Sequence, residues 1–120
     1  MPFTMLIVDD SRVSRMMLRA YFVEQRPTWH YLEAANGLEA IDLAQQHVLQ
    51  LVSMDLNMPG MDGLEAGAQI KAQQPNCCIV LLTANIQSST QERALAAGLH
   101  FIPKPITADT VSKILTVAGA

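Results

Sequence analysis

The chain has 120 residues and a mass of 13.1 kDa, the size of one domain, since a single core usually serves about 100–200 residues. Half of its residues are hydrophobic and 16% are charged, which excludes intrinsic disorder and supplies enough apolar surface to cover both faces of a sheet. A net charge of −3 leaves no electrostatic footprint for nucleic acid or an anionic membrane, so neither is expected as a direct partner.

The chain opens MPFTMLIVDD, with no basic stretch before the apolar run and no small-residue cleavage site after it. Neither a signal peptide nor a transmembrane helix is supported, and a cytoplasmic protein is expected. Residues 4–8, TMLIV, form a short continuous apolar run that suits a parallel strand covered on both faces, ending at Asp9-Asp10. From 11 to 24 apolar residues recur at Val13, Met16, Met17, Ala20 and Val23, which predicts helix 1 with that stripe facing inward, closed by Pro27. Residues 29–34 read as strand 2, with His30 and Glu33 interrupting its bulky residues.

Asn36-Gly37 predicts a turn, and helix 2 follows to about residue 47 with Ala40, Ile41, Ala44 and Val48 on one face. The next apolar run stops at Asp55 and enters the turn-rich loop Asn57-Met58-Pro59-Gly60-Met61-Asp62-Gly63. Helix 3, about 64–74, contains Gly67, which weakens a helix by roughly 1 kcal/mol relative to alanine, so tertiary packing must support it. After Pro75-Asn76, residues 77–83 form the most strand-like run, a fully buried strand 4 ending at Thr83-Ala84. Its adjacent Cys77 and Cys78 offer no disulfide framework and read as buried thiols in a reducing compartment.

A polar segment, 85–91, leads into a short alanine-rich helix 4 that Gly98 should end in a left-handed conformation. Strand 5 is 101–103, and Pro103 places it at a sheet edge because proline removes a ladder donor. Thr107 is the expected N-cap of helix 5, whose apolar stripe is Val111, Ile114, Leu115 and Ala118. Five strand and helix alternations predict an α/β chain with a parallel sheet.

Right-handed crossovers bring all strand C-termini to one edge, where open α/β sheets hold their ligands. Asp9, Asp10, Asp55, Thr83 and Lys104 should therefore meet at one rim. Three clustered carboxylates need a cation, and oxygen-only donors favour Mg²⁺ over zinc. Lys104 then offers a point charge and Thr83 a hydroxyl for a phosphoryl group at Asp55. Taken singly, Asp9-Asp10-Ser11 reads first as a helix N-cap, Asn57 and Asp62-Gly63 as turn formers, and Lys104 as a solvated lysine. Their joint occurrence at four strand ends carries the assignment.

The sequence resembles the receiver domain of two-component response regulators, of the chemotaxis-regulator kind, along essentially its whole length. The carrying residues are VDDS at 8–11, EAANGLEAI at 33–41, MDLNMPGMDG at 54–63, LLTA at 81–84 and AGLHFIPKPI at 97–106. The resemblance implies one receiver domain over 1–120, a doubly wound, flavodoxin-like fold whose five parallel strands run 2-1-3-4-5, flanked by five helices. It implies that Asp55 accepts a phosphoryl group from a partner histidine kinase or a small donor such as acetyl phosphate. It further implies Mg²⁺ held by Asp10, Asp55 and the Asn57 carbonyl, with Asp9 acting largely through water.

By the same resemblance Lys104, the Thr83 hydroxyl and the Ala84 N–H hold phosphoryl oxygens. Thr83 and Phe101 form a switch pair, and Asn57 and Asn85 tune how long the acyl phosphate survives. The output is an altered helix 4, strand 5 and helix 5 surface that regulates a protein partner or a fused output domain, with a phosphorylation-dependent dimer as a further outcome. Such a chain catalyses only its own phosphotransfer and dephosphorylation. Phe101 cannot make the outward hydrogen bond of a tyrosine, and Glu92, Arg93, Lys104, Asp109 and Lys113 are too few charges for the usual salt-bridged dimer. Alternatives are a small Mg²⁺-dependent aspartyl-nucleophile phosphatase, which wants an Asp-x-Asp after its first strand, and a flavin or dinucleotide binder, which wants a glycine-rich loop there.

Overall fold

The computed structural model describes residues 3–84 and 87–120. Among the described residues ten elements alternate: β1 (Thr4–Val8), α1 (Arg12–Gln25), β2 (His30–Ala34), α2 (Gly37–Gln46), β3 (Leu51–Asp55), α3 (Gly63–Gln73), β4 (Cys78–Thr83), α4 (Ser88–Ala96), β5 (His100–Pro103) and α5 (Ala108–Ala118). The strands form one parallel sheet of order β2-β1-β3-β4-β5, so β5 is an edge, as Pro103 requires. This is the doubly wound order expected.

Alternation along each strand sends side chains to two cores. Leu6, Val8, Val52, Met54, Ile79 and Leu81 pack with residues of α2, α3 and α4. Met5, Ile7, Leu51, Val80, Leu82 and Ile102 pack with Leu18 and Phe22 of α1 and with Val111, Ile114 and Leu115 of α5. The adjacent thiols divide the same way, Cys77 into the first core and Cys78 against the second, and both are free. Burial pushes the Cys77 thiol up to about 12, so it is inert at neutral pH.

Side-chain caps set the helix starts. Ser11, Asn36, Asp62 and Thr107 each accept a hydrogen bond from the backbone N–H three residues on, and Thr107 with Thr110 completes a capping box. Asn36 is thus a helix cap as well as a turn residue. The polar residues 88–91 form the first turn of α4 instead of a lead-in loop, and Gly98 closes that helix at φ +79 as expected. Gly67 is accommodated by close packing, because an added Cβ would stand 3.1 Å from Leu99 Cδ1.

The inward stripe expected for α1 is overturned. Val13 is 65% exposed and Met16 58%, Met17, Ala20 and Val23 also face outward, and the buried residues are Leu18 and Phe22. The reason is tertiary. Phe22 packs near Trp29, whose ring stacks on Phe3 at 3.8 Å, while Arg15 is turned inward by polar partners at the rim. Val48 also departs from expectation: α2 stops at Gln46, and Val48 lies beyond it and exposed. Trp29 precedes β2 and lies where the strands begin, away from the acid-bearing rim.

Candidate functional site

Each acid is delivered by a backbone ladder. Val8 pairs with Ala34 and Met54 in the two adjoining strands, and the ladder runs on as Asp9 donates its N–H to the Ala34 carbonyl at 3.2 Å. Asp55 ends β3 opposite Leu82, and the next N–H, from Leu56, reaches the Leu82 carbonyl at 2.9 Å. Lys104 follows β5, its N–H donating to the Thr83 carbonyl at 2.8 Å, which fixes the lysine stem beside the end of β4. Asp9, Asp10 and Asp55 each offer a carboxylate oxygen, all within 4.8 Å of one another. Asp9 and Asp55 are buried and Asp10 is exposed.

Lys104 Nζ stands 3.3 Å from Asp55 Oδ1 and 3.7 Å from Asp9 Oδ2. The Ser11 N–H donates to Asp9 Oδ1 at 2.8 Å, so the residue that caps α1 also orients the first acid. Burial pushes the Asp55 carboxyl above the ordinary range and the Asp9 charge pushes the same way, while Lys104 and the Asn57 backbone N–H pull it down. Three carboxylates against one ammonium leave an excess of two negative charges, 3 − 1, if all are ionised. An all-oxygen donor set with that excess fits a hard divalent cation such as Mg²⁺.

The other expected residues fall around this cluster. Thr83 is fully buried, and the Asn57 side-chain amide donates to its hydroxyl at 3.4 Å. Ala84 follows at the exposed rim. Phe101 is half-buried on the edge strand, packed against the core shared with α2, α3 and α4. Asn85 lies outside the described residues. Pro59, Gly60 and Met61 line a cleft of about 350 Å³ together with Asp10, so the loop after Asp55 forms one wall of an approach to the acids. A cleft of about 480 Å³ opens at the opposite edge, among residues around the starts of the strands and the end of α5, and holds none of the three acids.

Gly63 and the pair Arg15 and Glu33 carry the site without having been expected to. An alanine Cβ at Gly63 would collide with the Asp55 carbonyl oxygen and lie 2.9 Å from Leu56 Cα, so glycine lets α3 start directly against the strand end that presents Asp55. Arg15 donates to Glu33 and to the Asp9 carbonyl. In the sequence Glu33 interrupts an apolar run and opens the EAANGLEAI stretch, and nothing local links it to Arg15 and Arg19, 18 and 14 positions earlier.

The response regulator receiver domain family matches residues 5–116. The chain belongs to that family. It is 37% identical over 116 residues to a chemotaxis protein CheY of Listeria monocytogenes, covering 96% of this chain and 97% of the relative. The receiver of the Saccharomyces cerevisiae response regulator Ssk1, solved with the histidine phosphotransfer signaling protein Ypd1, superposes with TM-score 0.84 at 27% identity, over 98% of this chain and 90% of that one. A CheY-like receiver from Methanospirillum hungatei shares the fold at TM-score 0.91 and 21% identity, covering 99% of this chain and 95% of that one. Receivers are regulators of two-component signalling rather than turnover enzymes, so the phosphatase alternative gives way. Among the described residues no helix is long and apolar enough to cross a membrane.

Proposed function

We propose that this receiver is a phosphorylation-activated switch in which Asp55 takes a phosphoryl group from a phosphohistidine of a partner histidine kinase. The observation that carries the reading is the meeting of Asp9, Asp10, Asp55 and Lys104 at one strand-end rim in a chain of this family. In the transfer a carboxylate oxygen of Asp55 forms the new O–P bond as the P–N bond to the donor imidazole breaks, leaving an acyl phosphate.

Asp10, Asp55 and the Asn57 main-chain carbonyl would hold Mg²⁺, with Asp9 acting largely through water. When bound, the ion neutralises charge on the transferring oxygens. Lys104, already within 3.3 Å of Asp55, holds a phosphoryl oxygen as a point charge. The Thr83 hydroxyl and the Ala84 N–H hold others. Drawing Thr83 toward the phosphoryl group takes its hydroxyl from Asn57 and opens space for Phe101 to turn inward. The readout is a shifted population of the α4, β5 and α5 surface, which regulates a downstream protein or a fused output domain, with dimerisation on phosphorylation as a further route. Asn57 and Asn85 tune the rate at which the receiver removes its own phosphoryl group. The residues 1–120 act as one receiver domain in the cytoplasm.

The test is labelling by acetyl phosphate with Mg²⁺. Wild-type protein gains about one phosphoryl group per chain, sensitive to hydroxylamine. Asp55→Asn abolishes the label, and undiminished labelling of that variant would overturn the assignment.

A further inference from the structure

We infer that Arg15, aimed by Glu33, is a positioning residue for the Asp9–Asp10 peptide, holding the two strand-end acids in the orientation a divalent cation needs. The inference rests on the reading of the rim as a cation-assisted phosphoacceptor site. Arg15 lies on the face of α1 that turns toward the sheet, and its side chain is only 15% exposed. Its Nε donates to Glu33 Oε1 at 3.1 Å and its Nη1 to the Asp9 carbonyl at 2.7 Å. Glu33, on β2, uses its other oxygen for Arg19 Nη1 at 2.7 Å. These two arginines hold the Glu33 carboxyl below its ordinary range, against the upward push of burial.

The consequence for the rim follows from covalent geometry. The Asp9 carbonyl is half of a planar peptide whose other half is the Asp10 nitrogen, so anchoring that oxygen sets the plane from which the Asp10 side chain departs. Asp10 is exposed and needs such an anchor, whereas the Asp9 carboxylate is already held by Ser11 and faces Lys104. The guanidinium is a rigid plane, so once Nε is fixed on Glu33 the direction of Nη1 is fixed too. A flexible ammonium cannot satisfy both partners with that geometry. Outer partners of this kind orient the groups that touch a metal and change its affinity by about 10–100-fold.

Charge and geometry predict opposite signs, which makes the idea testable. Removing a cation near three carboxylates should by charge alone tighten Mg²⁺ binding, whereas losing the anchor should weaken it. Mg²⁺ alone is titrated into EDTA-treated, dialysed protein by calorimetry, with folding checked by circular dichroism. Arg15→Met is expected to bind about tenfold more weakly, Arg15→Lys also more weakly, and Arg19→Met within about twofold of wild type. Acetyl phosphate labelling of both Arg15 variants falls at limiting Mg²⁺ and recovers at saturating Mg²⁺, which a merely loosened fold would not show. Equal or tighter binding by Arg15→Met overturns the inference. Should that variant not fold, Arg15→Lys decides alone, and wild-type affinity there overturns it. Wild-type protein without saturable Mg²⁺ binding, or Asp10→Ala with undiminished affinity, sinks the underlying reading and this inference with it. Loss of affinity in Asp10→Ala with normal affinity in both Arg15 variants sinks the Arg15 role alone.

Discussion

Replacing Asp55 by asparagine should make the metal-free protein more stable while abolishing its labelling. At an effective dielectric of about 20 a unit pair at the 4.8 Å limit costs about 3.5 kcal/mol, so the repulsion from buried Asp9 is at least about that large. Exposed Asp10, screened as in water, adds about 1 kcal/mol, and Lys104 at 3.3 Å returns about 5 kcal/mol. The like charges and Lys104 oppose one another, as does the Asn57 backbone N–H, and the cost of keeping Asp55 ionised while buried is the largest cause of its raised pKa. Relief of such a functional compromise typically stabilises by about 1–2 kcal/mol, or about 5 °C in Tm for a chain of this length.

The pH dependence has a definite sign. A carboxyl whose folded pKa is raised favours the fold below its unfolded pKa, and that contribution is lost as pH rises through the folded value. The advantage of Asp55→Asn is therefore full above the raised pKa and fades as pH falls toward the ordinary aspartate range near about 4. Thermal melts followed by circular dichroism in EDTA, at neutral and mildly acidic pH, measure it. Saturating Mg²⁺ should close the gap by stabilising the wild type through linkage. A variant melting at or below wild type at neutral pH in EDTA would refute the electrostatic argument.

Gly63→Ala should destabilise by about 1–3 kcal/mol in urea and reduce labelling at Asp55, because the added methyl must displace the Asp55 carbonyl; full labelling with unchanged stability would count against that contact. Phe22→Ala should cost about 3–5 kcal/mol, while exposed Met16→Ala should stay within about 0.5 kcal/mol, and the reverse order would restore the outward stripe to the core. Iodoacetamide at about pH 8 should leave Cys77 unmodified in the folded protein and label it in urea, read by mass spectrometry; rapid native labelling would contradict its burial and raised pKa.

The acids and Lys104 were legible because each sits at a boundary that the local pattern marks, where an apolar run stops and a turn begins. The handedness of the crossovers then assigns those boundaries to a common edge without any knowledge of packing. The same logic recovered the β5 edge from Pro103 and the α5 cap from Thr107. It failed for α1, where two faces compete: Val13, Met16, Met17, Ala20 and Val23 make the longer apolar stripe, yet Leu18 and Phe22 are buried.

Local sequence thus determined where the strands end and which groups they present, because strand period and turn chemistry are short-range properties. Only the tertiary structure decided how α1 is rotated, which turned Arg15 toward Glu33 and the Asp9 carbonyl, and how closely α3 begins against Asp55 at Gly63. A helix can bury either of two faces at similar local cost. The choice is made by the surface it meets, here an aromatic cluster at one end of the sheet and a charged rim at the other.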